Sequence, residues 1–100
     1  MGERQVVMNL LESFVPRVKR DIQQMEEALE RKDFETLRQT AHSIKGGAWN
    51  LEVKELGNRA EALEQAGREQ SETDARSALK EVDQAFRMLE NHLEQEGLLS

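Results

Sequence analysis

One stretch of this chain, 40-TAHSIKGGAWN-50, combines residue types that can do chemistry at helical spacing. His42 has Lys45 three residues on, Gly46 four on and Trp49 seven on, with Arg38 four residues before. Residues three and four apart stand side by side on a helix. The imidazole therefore has a cation beside it and a bare patch next to it. An unperturbed imidazole titrates near pH ~6.5 and is mostly neutral at pH 7, so it can act as a nucleophile. A neighbouring ammonium favours the charge of an incoming phosphoryl group. A glycine one turn on lets a second protein's active site approach. No His, Cys or Ser stands where it would complete a hydrolytic pair with His42, and the pattern suits carrying a phosphoryl group better than hydrolysing one. Taken alone, HxxK is a weak signal, and a lone helical histidine is most often a plain surface residue.

The two glycines pose a problem for the element that must carry them. Each costs a helix interior roughly 1 kcal/mol relative to alanine. Yet the apolar stripe Phe34, Leu37, Ala41, Ile44, Ala48, Leu51 passes them without losing phase, so the helix is expected to continue through Gly46 and Gly47. His42 falls well off that stripe, on the wet side.

Helical periodicity dominates the rest of the chain. A short first helix is expected over about Glu3 to Phe14. A second starts at Pro16, where a missing N–H costs nothing, and carries Val15, Val18, Ile22, Met25 and Leu29. Asp33 is a candidate N-cap for the helix bearing His42. A fourth helix uses Val53, Leu56, Ala60 and Leu63, with Gly57 marking a close approach to a neighbour. The stretch 67-GREQSETD-74 reads as a turn, with Ser71 and Asp74 at capping-box spacing. A fifth helix uses Ala75, Leu79, Val82, Phe86, Leu89 and Leu93. The expected fold is all-α: an antiparallel four-helix bundle core with an additional short N-terminal helix. One domain is expected over residues 1–97, with 98–100 a frayed tail.

Composition narrows the function classes. The chain has 100 residues, enough for one modest core. A net charge of −6 argues against nucleic-acid binding, which needs a basic footprint. No cysteine is present, which excludes disulfides and thiolate metal sites. No run is long and apolar enough to insert in a membrane. The segment MGERQVV lacks the layout of a signal peptide, so the expected location is cytoplasmic.

AHSIKGGAWNL also resembles the signature of histidine-containing phosphotransfer (HPt) domains, Ala-His-x-(Leu/Ile)-Lys-Gly-small-small-x-Asn-Leu. The flanks agree: ALERKDFETLRQTAHS before it is similar to the family's AL-x-x-x-D-x-x-x-L-x-x-x-AHS, and LGNRAEALE after it to L-x-x-x-A-x-x-LE. The pattern departs at Glu52, where the family commonly has glycine. The resemblance implies a helical bundle and a set of roles. His42 is the phosphoacceptor, on Nε2. Lys45 lies beside the phosphoryl group, and Gly46 leaves room for the partner. Glu64, twenty-two positions after the histidine, is the hydrogen-bond partner of the imidazole Nδ1, although the helical wheel requires it to reach around from the flank. Trp49, Val7 and Leu11 are candidates for an apolar docking rim, with packing beneath or within the bundle as the alternative for each. Arg38 is a candidate for steering an acidic partner. The implied partners are response-regulator receiver domains, which would bring Mg²⁺, and a sensor histidine kinase, either separate or in the same natural chain. The chain needs no cofactor of its own and is expected to be a monomer without autonomous kinase activity. A non-catalytic docking or dimerisation module is the alternative.

Overall fold

A computed structural model of the chain describes residues 2–97. It contains α1 (Gly2–Glu30), α2 (Phe34–Asn50), α3 (Lys54–Arg68) and α4 (Glu72–Gln95), with no strand among the described residues. Three-residue connections at 31–33, 51–53 and 69–71 reverse the chain each time. The contacts run α1 to α2, α2 to α3, α3 to α4 and α4 back to α1, which closes an up-down-up-down bundle. The molecule measures 45 × 20 × 18 Å.

All three connections use the same device. The N–H of Asp33, Val53 and Ser71 bonds back to the carbonyl of Ala28, Ala48 and Ala66, while Lys32, Glu52 and Gln70 bond to Leu29, Trp49 and Gly67. This is the Schellman arrangement, which needs a left-handed residue at the middle position. Lys32, Glu52 and Gln70 adopt it, with φ of 58°, 62° and 55°. The conformation explains why glycine suits position 52, where this chain has glutamate. Asp33 then caps α2, accepting from the Thr36 N–H at 3.1 Å and the Thr36 hydroxyl at 2.7 Å. Ser71 caps α4 by accepting from the Asp74 N–H.

The N-terminal expectation needs correction. No separate short helix precedes Pro16, because Gly2–Glu30 is one helix with the proline inside it. Proline forfeits one backbone bond. The apolar stripe, however, runs unbroken through Leu11, Phe14, Val15, Val18, Ile22, Met25 and Leu29, all buried. Burying that stripe in one register outweighs a single missing bond. A second correction concerns Gly67, read from sequence as the start of a turn. It is a buried residue of α3, and a Cβ there would meet the Arg38 backbone at 3.2 Å. The glycine marks close helix packing rather than an ending. The expected tail at 98–100 lies outside the described residues.

One buried cluster joins all four helices, from Leu11 and Met25 through Leu37, Ile44, Leu56 and Leu63 to Val82 and Phe86. The contact between α2 and α3 is the most extensive. Ala41 and Ala48 of α2 and Ala60 of α3 are fully buried, and the Cβ positions of Gly57 and Gly67 of α3 are already occupied by Trp49 and Arg38 of α2. Small side chains let the two backbones approach. That closeness sets the reach across which side chains of α3 can meet those of α2.

Candidate functional site

His42 sits at the middle of α2, off the buried stripe, with its side chain 63% exposed. The continuous helix through Gly46 and Gly47 holds it in register with Lys45 and Trp49. The glycines do different things. A Cβ on Gly46 would touch nothing within 4 Å, so that patch is open. A Cβ on Gly47 would press the Phe14 ring at 2.8 Å, so that glycine admits α1.

Glu64 arrives from α3. It is the one buried charged residue of the described chain, its side chain only 5% exposed. Its Oε2 lies 2.9 Å from His42 Nδ1, and its Oε1 lies 2.7 Å from Lys45 Nζ. Arg68, one turn further along α3, approaches Oε2 at 3.3 Å. A buried carboxylate is tolerated only when its oxygens are satisfied, and here they accept from three side chains. Burial alone would push this carboxyl up. The hydrogen bonds from Lys45 and His42, together with the charges of both, outweigh burial and hold it below the usual glutamate range.

The protonation pattern follows. An ionised carboxylate only accepts, so the 2.9 Å contact requires the proton on His42 Nδ1. In the neutral ring Nε2 then carries the lone pair. No partner for Nε2 appears among the described residues. The arrangement is an exposed, tautomer-fixed imidazole with an ammonium one turn away. It presents a nucleophilic nitrogen outward and keeps a carboxylate behind the ring to balance a positive charge forming on it.

The other predicted residues separate. Lys45 is 19% exposed and engaged with Glu64. Trp49 is exposed and lies against Gly57 of α3 rather than under α1. The close approach expected at Gly57 is thus to the indole. Val7 is exposed on the first turns of α1, alongside Val6 and Leu10. Leu11 is buried in the core cluster, which removes it from any docking rim, since its apolar surface is already covered. Arg38 is paired with Glu35 at 2.5 Å on its own helix.

Two residues escaped the sequence reading. Arg68 was findable, because it stands four positions after Glu64 on one helix, a spacing that pairs charges. Arg17 was not: it crosses from α1 to donate to the Ser43 hydroxyl beside His42, a contact that depends on how α1 docks.

A four-helix bundle with an exposed histidine backed by a buried carboxylate defines a class, the helical histidine phosphocarriers. Comparison with known proteins bears on this directly. The Hpt domain family model matches residues 9–95. Histidine-containing phosphotransfer protein B (HptB) from Pseudomonas aeruginosa PAO1 superimposes with a TM-score of 0.84 at 28% identity, covering 89% of this chain and 77% of that one. No curated protein sequence matches. The chain belongs to the Hpt domain family, and its function is histidine phosphotransfer in a phosphorelay. Members of the family are phosphocarriers that work with receiver domains and kinases. Among the described residues, no helix is long and apolar enough to cross a membrane, and no group of three His, Cys, Asp or Glu could hold a metal ion.

Proposed function

We propose that His42 Nε2 is the phosphoacceptor, with Lys45, Gly46 and Glu64 serving it. The observation that carries this is the 2.9 Å contact between His42 Nδ1 and a buried, ionised Glu64. In the reaction, the Nε2 lone pair attacks the phosphorus of a receiver's aspartyl phosphate in line. The phosphorus–oxygen bond to the aspartyl carboxyl breaks, and its electron pair leaves with the carboxylate. No proton need move, because Nδ1 keeps its hydrogen and the ring becomes an imidazolium facing Glu64. Return transfer to another receiver's aspartate reverses these steps.

Lys45 supplies a cation one turn from the transferring group. Gly46, open on its outer side, leaves the partner's active site room to close. Val7, exposed, forms part of the docking rim, and Arg38 adds charge at its edge. The receiver brings the Mg²⁺ that neutralises the phosphoryl oxygens. The chain takes the phosphoryl group from such partners and does not phosphorylate itself from ATP, having no glycine-rich nucleotide loop. It acts as one cytoplasmic monomeric unit over residues 1–97.

The test is transfer from phosphorylated receiver domains, with Mg²⁺, to the wild type and to His42→Gln. Acid-labile, alkali-stable label on the wild type and none on the variant is the expected result. Label retained on the folded variant would remove His42 from the role. Label arriving only from an ATP-charged kinase domain would reassign the donor.

A further inference from the structure

Trp49 is used on two sides. One side lies against Gly57, where a Cβ would collide with indole Cδ1 and Nε1, so only glycine lets the ring seat there. Over the face of the ring, the Lys45 ammonium stands 5.4 Å from the centroid. The same ammonium bonds Glu64 Oε1 at 2.7 Å. Lys45 and Trp49 are four residues apart on α2, so the two side chains stack along one face. A lysine on a helix surface ordinarily swings its charge through solvent. Here one side of the cation meets a carboxylate and another an aromatic face, and both supports are themselves immobilised, Glu64 by burial and Trp49 by Gly57.

We propose that Trp49 is a positioning residue of the phosphotransfer site: its indole, seated on Gly57, holds the Lys45 ammonium against Glu64 and beside His42. This deepens the reading of His42 as phosphoacceptor and rests on it. It differs from a docking role, in which the indole would touch the partner and act without Lys45.

The experiment compares single-turnover transfer from a phosphorylated receiver, with Mg²⁺, to the wild type, Trp49→Leu, Trp49→Phe, Lys45→Met and the Trp49→Leu/Lys45→Met pair. Trp49→Leu is expected to lower the limiting rate about two- to fivefold, the worth of a partly exposed cation–π contact. The receiver concentration at half saturation should stay in place. Trp49→Phe, which keeps a π face, should restore most of the rate. In the Lys45→Met background the indole should make no further difference, since its effect passes through the ammonium. Effects that multiply in the double variant, or a change confined to half saturation, would overturn the proposal in favour of direct partner contact. A second readout needs no phosphoryl group. The ¹⁵N–¹H signal of the Lys45 ammonium should be observable in the wild type and Trp49→Phe and lost to solvent exchange in Trp49→Leu. Its persistence in Trp49→Leu would also overturn the proposal. An unlabelled wild type would sink the reading of His42 instead, and the ammonium signal would then decide alone whether the indole holds Lys45.

Discussion

Replacing Glu64 by glutamine separates the charge behind His42 from its position. The amide oxygen can still accept from Nδ1–H, so the tautomer survives. The negative charge does not. A hydrogen bond involving a charged group is worth roughly 1.5–3 kcal/mol against roughly 0.5–1.5 for a neutral one. The ring gains a positive charge as the phosphoryl group arrives, so the difference falls on the transition state. About 1–1.5 kcal/mol corresponds to a five- to tenfold slower transfer. Stability should fall too, by about 1–2 kcal/mol, because Lys45 loses the carboxylate that compensates its partial burial. Rapid-quench transfer kinetics and urea denaturation at pH 7 measure both. Stability also carries a pH signature. The Glu64 carboxyl is depressed in the folded state, from 4.5. Its contribution is therefore complete above that value and is lost as pH falls through the lower folded value. The stability gap between wild type and Glu64→Gln should narrow in that acid window. Transfer within twofold of wild type, with a gap that does not change with pH, would refute the role given to the carboxylate.

Gly46→Ala should act in opposite directions on two assays. Its Cβ meets nothing, so thermal unfolding should show a gain of up to about 1 kcal/mol, while receiver-dependent transfer slows because the partner's approach is obstructed. Gly67→Ala should destabilise by about 1–2 kcal/mol in denaturant titration, because the obstacle at 3.2 Å is the backbone of α2 and not a movable side chain. Glu52→Gly should stabilise by about 0.5–1 kcal/mol, since the left-handed φ of 62° then costs nothing; calorimetry gives the sign. Transfer in this variant should stay at the wild-type rate, as position 52 lies in the turn beyond α2.

Much of the site was legible because it is local. His42, Lys45 and Gly46 share a face by spacing alone, and the stripe from Leu37 to Ala48 placed the helix through both glycines. Glu64 was reachable only through the family pattern. A helical wheel knows nothing of how far α3 sits from α2, and that closeness shows only at Gly57 and Gly67, whose Cβ positions α2 already occupies. For the same reason Gly57 announced a close neighbour without naming Trp49, and Gly67 resembled a turn when its neighbour was the Arg38 backbone. Pro16 misled in another way. Its local preference for a helix start was real, but the stripe on either side of it was already in phase, and burial of seven apolar side chains decided the outcome. Leu11 and Val7 looked alike in sequence, and only the packing of α1 on the bundle assigned one to the core and left the other outside.

The first turns of α1 carry a further consequence. Nothing before Leu11 on this helix is buried, whereas His42, Lys45 and Glu64 stand on α2 and α3, the most closely packed pair. Segments with little buried surface open at low free energy, and well-packed ones open only with the whole domain. Amide exchange should therefore be fast from Gly2 to Leu10 and slow through the α2–α3 hairpin. The apolar side chains that would greet a partner stand on backbone that can unwind or re-angle cheaply, while the reacting atoms stand on backbone that cannot. Such a carrier can adjust its grip to receivers of different outline without disturbing the distance over which the phosphoryl group must move.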